Sequence, residues 1–150
     1  MTPFNERLAR LRGVSCESVE SVQYEEPPTD PNYAVSTSIR LSDGTAIDAQ
    51  FWRLLRDSGA VVSIFDHGQR YGLPAEIDAI ESLRGEVVGK PLTDATMDDK
   101  TGDLLFRFEG GLALQVFNFT DFEIWTVRFP DGIEEYSNHA LRERPPLSND

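Results

Sequence analysis

The chain has 150 residues, 39% of them hydrophobic and 10% aromatic, and 14 basic against 26 acidic side chains give it a formal charge of −12. This length fits one domain, and folding at this size hides roughly 68–70% of the unfolded chain's surface, so a stable core needs neither disulfides nor a structural metal. The sign of the charge disfavours nucleic acid and anionic membranes as partners, since both are repelled over a screening length of about 10 Å.

In chain order, Thr2 reads as the cap of a first helix near 3–12, with Pro3 in its first turn, Phe4, Leu8 and Leu11 on one stripe, and Gly13 as the stop. Ser15 to Asn32 carries Glu17, Glu20, Glu25, Glu26 and Asp30 with no basic residue. Pro27, Pro28 and Pro31 forbid regular structure near its end, and Val19 and Val22 leave its first half open between strand and coil. Val35, Thr37, Ile39 and Leu41 then alternate as a strand, Ser42-Asp43-Gly44-Thr45 turns the chain, and Ile47, Ala49 and Phe51 share one face of the return strand opposite Asp48, Gln50 and Trp52. After the turn Asp57-Ser58-Gly59, residues 60–65 form a third, more apolar strand.

Leu73, Ile77 and Ile80 fall at helical spacing, with Pro74 near the start and Arg84-Gly85 at the end, which predicts a second helix over 74–84. Leu104, Phe106 and Phe108 then share one face of a strand, Gly110-Gly111 turns it, and Leu112, Leu114 and Val116 share one face of the next. Glu123, Trp125, Val127 and Phe129 line a further strand that Pro130-Asp131-Gly132 ends. Residues 34–66 and 103–131 read alike as strand, glycine turn, strand, loop and strand. Few residues beyond the turns are identical, so an ordinary meander is favoured over duplication.

The expected fold is therefore α+β: an antiparallel meander sheet of about six to eight short strands, with the two halves alike, and two packed helices. It forms a single domain over 1–150, with a helix and acidic, proline-rich segment at 1–32, a sheet-and-helix core at 33–138 and a frayed tail at 139–150.

Function is less legible. Cys16 is the only cysteine and there are two histidines, which speaks against a disulfide framework and a soft-ligand zinc site. The start of the chain lacks a signal-peptide apolar stretch and no segment approaches the ~20 apolar residues that span a bilayer, so a cytoplasmic location is expected. A glycine-rich phosphate loop, Gly-x-Ser-x-Gly, paired helical histidines and a basic phosphate-tracking stripe are all missing, and Cys16 has no identifiable base nearby.

Asp66-His67-Gly68-Gln69-Arg70-Tyr71 gathers a carboxylate, an imidazole, a guanidinium and a phenol behind a strand. There Asp66 could orient His67 as a general base while Arg70 holds an anion, but a strand-to-helix connection fixed at Gly68 is the favoured reading. Asp98-Asp99-Lys100-Thr101-Gly102-Asp103 lacks the Asp-x-Asp-x-Asp-Gly order and distal glutamate of a calcium loop and reads as a polar hairpin turn. No metal or cofactor is expected.

Phe117, Phe119, Phe122, Trp125 and Phe129 are mostly core by size, while Trp52, opposite Phe51, is open between a core role and an exposed anchor. Acids cluster in 17–30, 94–103 and 121–135. Solubility explains this simply, and complementarity to a basic partner explains it too, with Asp98, Asp99, Asp103, Asp121, Glu123 and Trp52 as binding residues.

The segments Thr101-Gly102-Asp103-Leu104-Leu105-Phe106-Arg107-Phe108, Gly111-Leu112-Ala113-Leu114 and Phe122-Glu123-Ile124-Trp125 resemble a group of small uncharacterised bacterial proteins. That group carries a Thr-Gly-Asp-Leu turn, a glycine hairpin and a Ser-x-Tyr-Glu-x-Trp segment. The resemblance covers roughly residues 85–130 and departs at Thr120 and Phe122, which stand where the group has serine and tyrosine. Related domains are among those proposed to be immunity proteins of polymorphic toxin systems, and the resemblance brings no catalytic residues with it.

The expected function is a non-enzymatic cytosolic protein-binding module, immunity-like, that presents an acidic surface to a basic protein partner such as a toxin. The alternative is a small-ligand binding or hydrolytic domain centred on Asp66, His67, Arg70 and Tyr71. A third reading is a structural subunit whose two-faced aromatic strand makes a homodimer.

Overall fold

The computed structural model describes residues 2–23, 35–118 and 124–137. Thr2 opens helix α1 (Pro3–Ala9): its hydroxyl accepts from the Asn5 amide at 3.2 Å, and Pro3 occupies a first-turn position where an N–H has no helical partner. Strands β1 (Cys16–Gln23), β2 (Val35–Leu41), β3 (Ala46–Ala49), β4 (Trp52–Arg56) and β5 (Gly59–Ser63) follow. Helix α2 (Ala79–Val87) is capped by Asp78, whose carboxylate accepts from the Glu81 amide at 3.0 Å. Behind it come β6 (Leu92–Met97), β7 (Leu104–Phe108), β8 (Leu112–Val116), β9 (Trp125–Arg128) and β10 (Glu134–Tyr136).

This is the α+β class with antiparallel pairing that the sequence predicts. Among the described residues, however, the strands number ten and divide into two five-stranded sheets rather than forming one sheet of six to eight. The first sheet has the order β1-β2-β3-β9-β10 and the second β5-β4-β8-β7-β6. Replacing every strand by the one five places away in the chain converts one order into the other. Each half thus gives three strands to one sheet and a hairpin to the other.

The hydrogen bonds obey the same exchange. Gly13 N–H donates to the Leu92 carbonyl and Gly89 N–H to the Cys16 carbonyl, both at 2.8 Å; Leu92 donates to Val14 at 2.8 Å and Cys16 to Lys90 at 3.0 Å. At the other crossing Gln50 donates to Ile124 at 2.9 Å and Phe117 to Phe51 at 3.0 Å. β-bulges interrupt β1 between Cys16 and Ser18 and β6 between Leu92 and Asp94. Gly13 and Gly89 both take the left-handed backbone that favours glycine, with φ of +85° and +87°. Such reciprocal pairs are what an internal two-fold relation requires, so the likeness of 34–66 and 103–131 extends over the helices and first strands and exceeds that of an ordinary meander.

Several boundaries differ from the sequence reading for local reasons. Gly68 N–H donates to Ile77 and Ile77 N–H to Gln69, both at 2.8 Å, which ties up the backbone before Asp78 and delays α2 from 74 to Ala79. Gly85 lies within the helix, and Gly89 makes the stop. The first helix ends at Ala9 rather than at 12. The open stretch after Ser15 is a strand, and β6 and β10 are strands that the sequence reading did not contain.

The chain also leaves the first sheet after Ala49 and enters the second at Trp52, so the simple alternation from Ile47 breaks and Phe51 and Trp52 are both buried. Trp52 is 0% exposed and its Nε1–H donates to Thr37 Oγ1 at 2.9 Å, so it takes the core role and is no surface anchor.

One apolar cluster joins both sheets and both helices. α1 packs against β6 of the other half, and α2 against β1. Phe4 stacks on Trp125 at 5.8 Å and meets Phe129 edge-on at 6.0 Å, while Phe117 is half-buried beneath Arg53. Aromatic pairs of this geometry contribute about 0.5–1.5 kcal/mol beyond their buried area. The proline-rich part of the acidic segment, Phe119, Thr120, Phe122 and the tail at 139–150 lie outside the described residues.

Two measurements check this packing. Thr37→Val leaves the Trp52 indole N–H without its acceptor inside the core, so chemical denaturation should show a loss of about 1–3 kcal/mol; an unchanged midpoint would mean that the bond contributes nothing. Burial pushes the Cys16 thiol up to about 11, and the thiolate is the reactive form. A disulfide reagent at neutral pH should therefore label Cys16 only once the protein is denatured.

Candidate functional site

The polar cluster behind β5 is built as a connection. Asp66 closes a single 3-10 turn (Ile64–Asp66); its Oδ2 accepts from the Ser63 amide at 2.9 Å and its Oδ1 from the Tyr71 hydroxyl at 3.1 Å. His67 Nδ1 accepts from the Ala79 amide at 3.1 Å, at the first residue of α2, with Asp78 Oδ1 at 3.8 Å from the same nitrogen. Arg70 donates to the Pro74 carbonyl at 3.4 Å. The Asp66 carboxylate thus faces Ser63 and Tyr71, while the imidazole serves the helix start. Tyr71 is exposed with φ of +47°, and the hydrogen bond its hydroxyl donates to the Asp66 carboxylate favours the protonated phenol and raises its pKa. Each of the four residues has a role in holding the β5–α2 connection.

The acidic turn between β6 and β7 is more tightly made. Asp98 Oδ1 accepts from the amides of Lys100 at 2.8 Å and Thr101 at 3.1 Å, and these donors, the Lys100 amide foremost, hold its carboxyl below the usual carboxylate range. The backbone closes the loop through Asp98 N–H to Asp103 at 2.9 Å and Gly102 N–H to Asp98 at 2.8 Å. Asp103 Oδ1 accepts from the Asn118 amide at 2.7 Å, and Trp125 Nε1–H donates to the Gly102 carbonyl at 3.0 Å. Gly102 has φ of +77°, and a Cβ there would stand 2.5 Å from Asn118 Nδ2, so a side chain at this position would strain the backbone and displace Asn118.

Asp98 and Asp99 are exposed and Asp103 is half-buried, all on this one turn. Asp121 and Glu123, the other acids expected at this surface, lie outside the described residues. Among the described residues no three histidine, cysteine, aspartate or glutamate side chains converge to hold a metal ion.

A third feature escaped the sequence reading: a groove of about 400 Å³ on the outer face of the first sheet. Its floor follows from register. Arg40 pairs with Ala46 and Ala46 with Arg128, so two guanidinium-bearing positions flank a methyl group in one row; Ser38, Asp48 and Thr126 form the next row. Thr126 Oγ1–H reaches Asp48 Oδ2 at 3.5 Å, and neither Arg40 nor Arg128 enters an ion pair among the described residues. Strand alternation alone marks these residues as outward; only the antiparallel pairing of β3 with β9 brings Arg128 beside Ala46.

Comparison of the chain with protein-family models, with curated proteins and with solved structures returns no match. Among the described residues no helix is long and apolar enough to cross a membrane.

The lowered pKa of Asp98 has a signed consequence. Its ionised form is favoured by folding, so its contribution is complete above the unfolded value near 3.8 and is lost as pH falls through the lower folded value. Asp98→Asn should therefore melt below the parent protein at neutral pH, and the gap in Tm should close as the solution is acidified below about pH 4. A gap independent of pH would separate the turn's stability from the carboxylate's charge.

Proposed function

We propose that the protein is a non-enzymatic binding module of the cytosol, immunity-like in the sense the resemblance implies, that offers its acidic β6–β7 turn to a basic protein partner and acts by covering it. The observation that supports this most is the construction of the turn: Asp98 and Asp103 each spend one oxygen on backbone N–H donors, and Asp98 and Asp99 stand exposed. A turn already locked by its own hydrogen bonds carries little ordering cost on association. Clustered carboxylates facing a basic surface speed encounter and select among partners more than they add raw affinity.

The hydrolytic or small-ligand alternative at Asp66, His67, Arg70 and Tyr71 has weaker support, because the groups it would employ are engaged in capping α2 and closing the preceding turn.

The test is co-expression with whatever protein the neighbouring gene encodes, followed by association kinetics on the purified pair. Protection and a complex are expected, with association slowing as NaCl is raised from about 0.05 to 0.2 M and slowing several-fold in the Asp98→Asn/Asp99→Asn double variant. No complex and no protection would overturn the proposal, and a complex indifferent to both salt and the double variant would overturn the role of the turn.

A further inference from the structure

The internal two-fold gives each sheet an outer face that serves as a control for the other. On the second sheet the row equivalent to Arg40, Ala46 and Arg128 reads Arg107, Ala113 and Leu55, and the row equivalent to Ser38, Asp48 and Thr126 reads Leu105, Gln115 and Arg53. That face fills itself: Arg53 donates to Gln115 Oε1 through Nε at 2.9 Å and Nη2 at 2.6 Å, and its guanidinium lies over the Phe117 ring at 5.6 Å. On the first sheet the long side chains of that second row are replaced by Ser38 and Thr126, Leu55 by Arg128, and the space becomes the groove.

The Cα atoms of Arg40 and Arg128 are two strand spacings apart, about 10 Å, with only the Ala46 methyl between them. Two guanidinium side chains on that separation are long enough to reach one anionic group above the methyl, for which arginine's planar donor fork is well matched. Asp48 lies one row away on the same face, about 7 Å along the strand. A carboxylate in that place repels a bare anion and accepts from a donor carried by the same ligand, and Ser38 and Thr126 add hydroxyls on either side of it.

We infer that this groove binds a small hydroxylated molecule bearing a phosphate or carboxylate, the anion held between Arg40 and Arg128 and a ligand hydroxyl donated to Asp48. The volume of about 400 Å³ suits a compact metabolite-sized ligand. The inference stands apart from the acidic turn and does not rest on the proposed partner.

The test titrates the whole protein at about 0.15 M NaCl with glycerol 3-phosphate, with malate and with inorganic phosphate, following binding by calorimetry and by amide chemical shifts. Expected is saturable binding of glycerol 3-phosphate or malate, with the stronger of the two identifying the anion, and shifts centred on Ser38, Ala46 and Thr126. Arg40→Gln and Arg128→Gln should each weaken it roughly tenfold or more, while Arg107→Gln on the equivalent face leaves it unchanged. Inorganic phosphate should bind more weakly than glycerol 3-phosphate in the parent protein and gain in Asp48→Asn. The chemical shifts of the unmodified protein decide the matter even if a variant fails to fold. No saturable binding of any of the three compounds, equal weakening by Arg107→Gln, or shifts scattered over both sheets would overturn the inference.

Discussion

Four backbone hydrogen bonds between residues 13–16 and 89–92 tie the two halves of the molecule together, and much else follows from them. They place the start of β1 beside the start of β6, which sets α1 over the second half and α2 over the first. They also fix the geometry in which each half hands its last hairpin to the opposite sheet. A sheet with one apolar face needs a partner to bury it, and here the partner is the other half of the same chain. The buried tryptophans mark the two crossings: Trp52 begins β4 and Trp125 begins β9, each with its indole N–H satisfied, one by a threonine hydroxyl and the other by a backbone carbonyl.

The two halves are alike inside and differ outside. The inner faces are alike in character, mainly aliphatic and aromatic, with Thr37 as a buried hydroxyl that serves Trp52. The outer faces are not. One pairs Arg53 with Gln115 and lays the guanidinium over the Phe117 ring, whereas the other keeps two arginines and an aspartate apart around small side chains. Of the links, the β2–β3 and β7–β8 hairpins correspond and both are short glycine turns, through Gly44 and Gly110-Gly111, while the β6–β7 link is the hydrogen-bonded loop that carries Asp98, Asp99 and Asp103. A protein of net charge −12 thus offers two chemically distinct surfaces, an acidic turn and a groove that carries two arginines and an aspartate.

What could be read from the residues depended on how local the determining interaction is. Ser42-Asp43-Gly44 and Gly110-Gly111 announced their hairpins because a positive φ needs glycine at those places. β6 went unread because Leu92-Thr93-Asp94-Ala95 carries a bulge that breaks its alternation and an acid that looked like surface. β10 went unread because Glu134-Glu135-Tyr136 has no apolar face, and pairing with β9 alone makes it a strand. Trp52 kept two readings since nothing near Gln50-Phe51 declares that the chain changes sheets there. The acidic turn was legible from its composition. The groove was not, because Arg40 and Arg128 meet only through a register between strands far apart in the chain.

The exchanged hairpins also dictate an order of events during synthesis. β3 emerges from the ribosome long before β9, the neighbour it pairs with along its whole length. At translation speeds of about 5–20 residues per second, the 76 residues separating the ends of Ala49 and Trp125 leave that edge bare for roughly 4–15 s. A nascent chain in that interval displays a half-built sheet whose missing strand is also present on any finished or half-finished copy nearby. The same architecture that lets one polypeptide clasp itself therefore makes hairpin exchange between copies the misassembly it is exposed to.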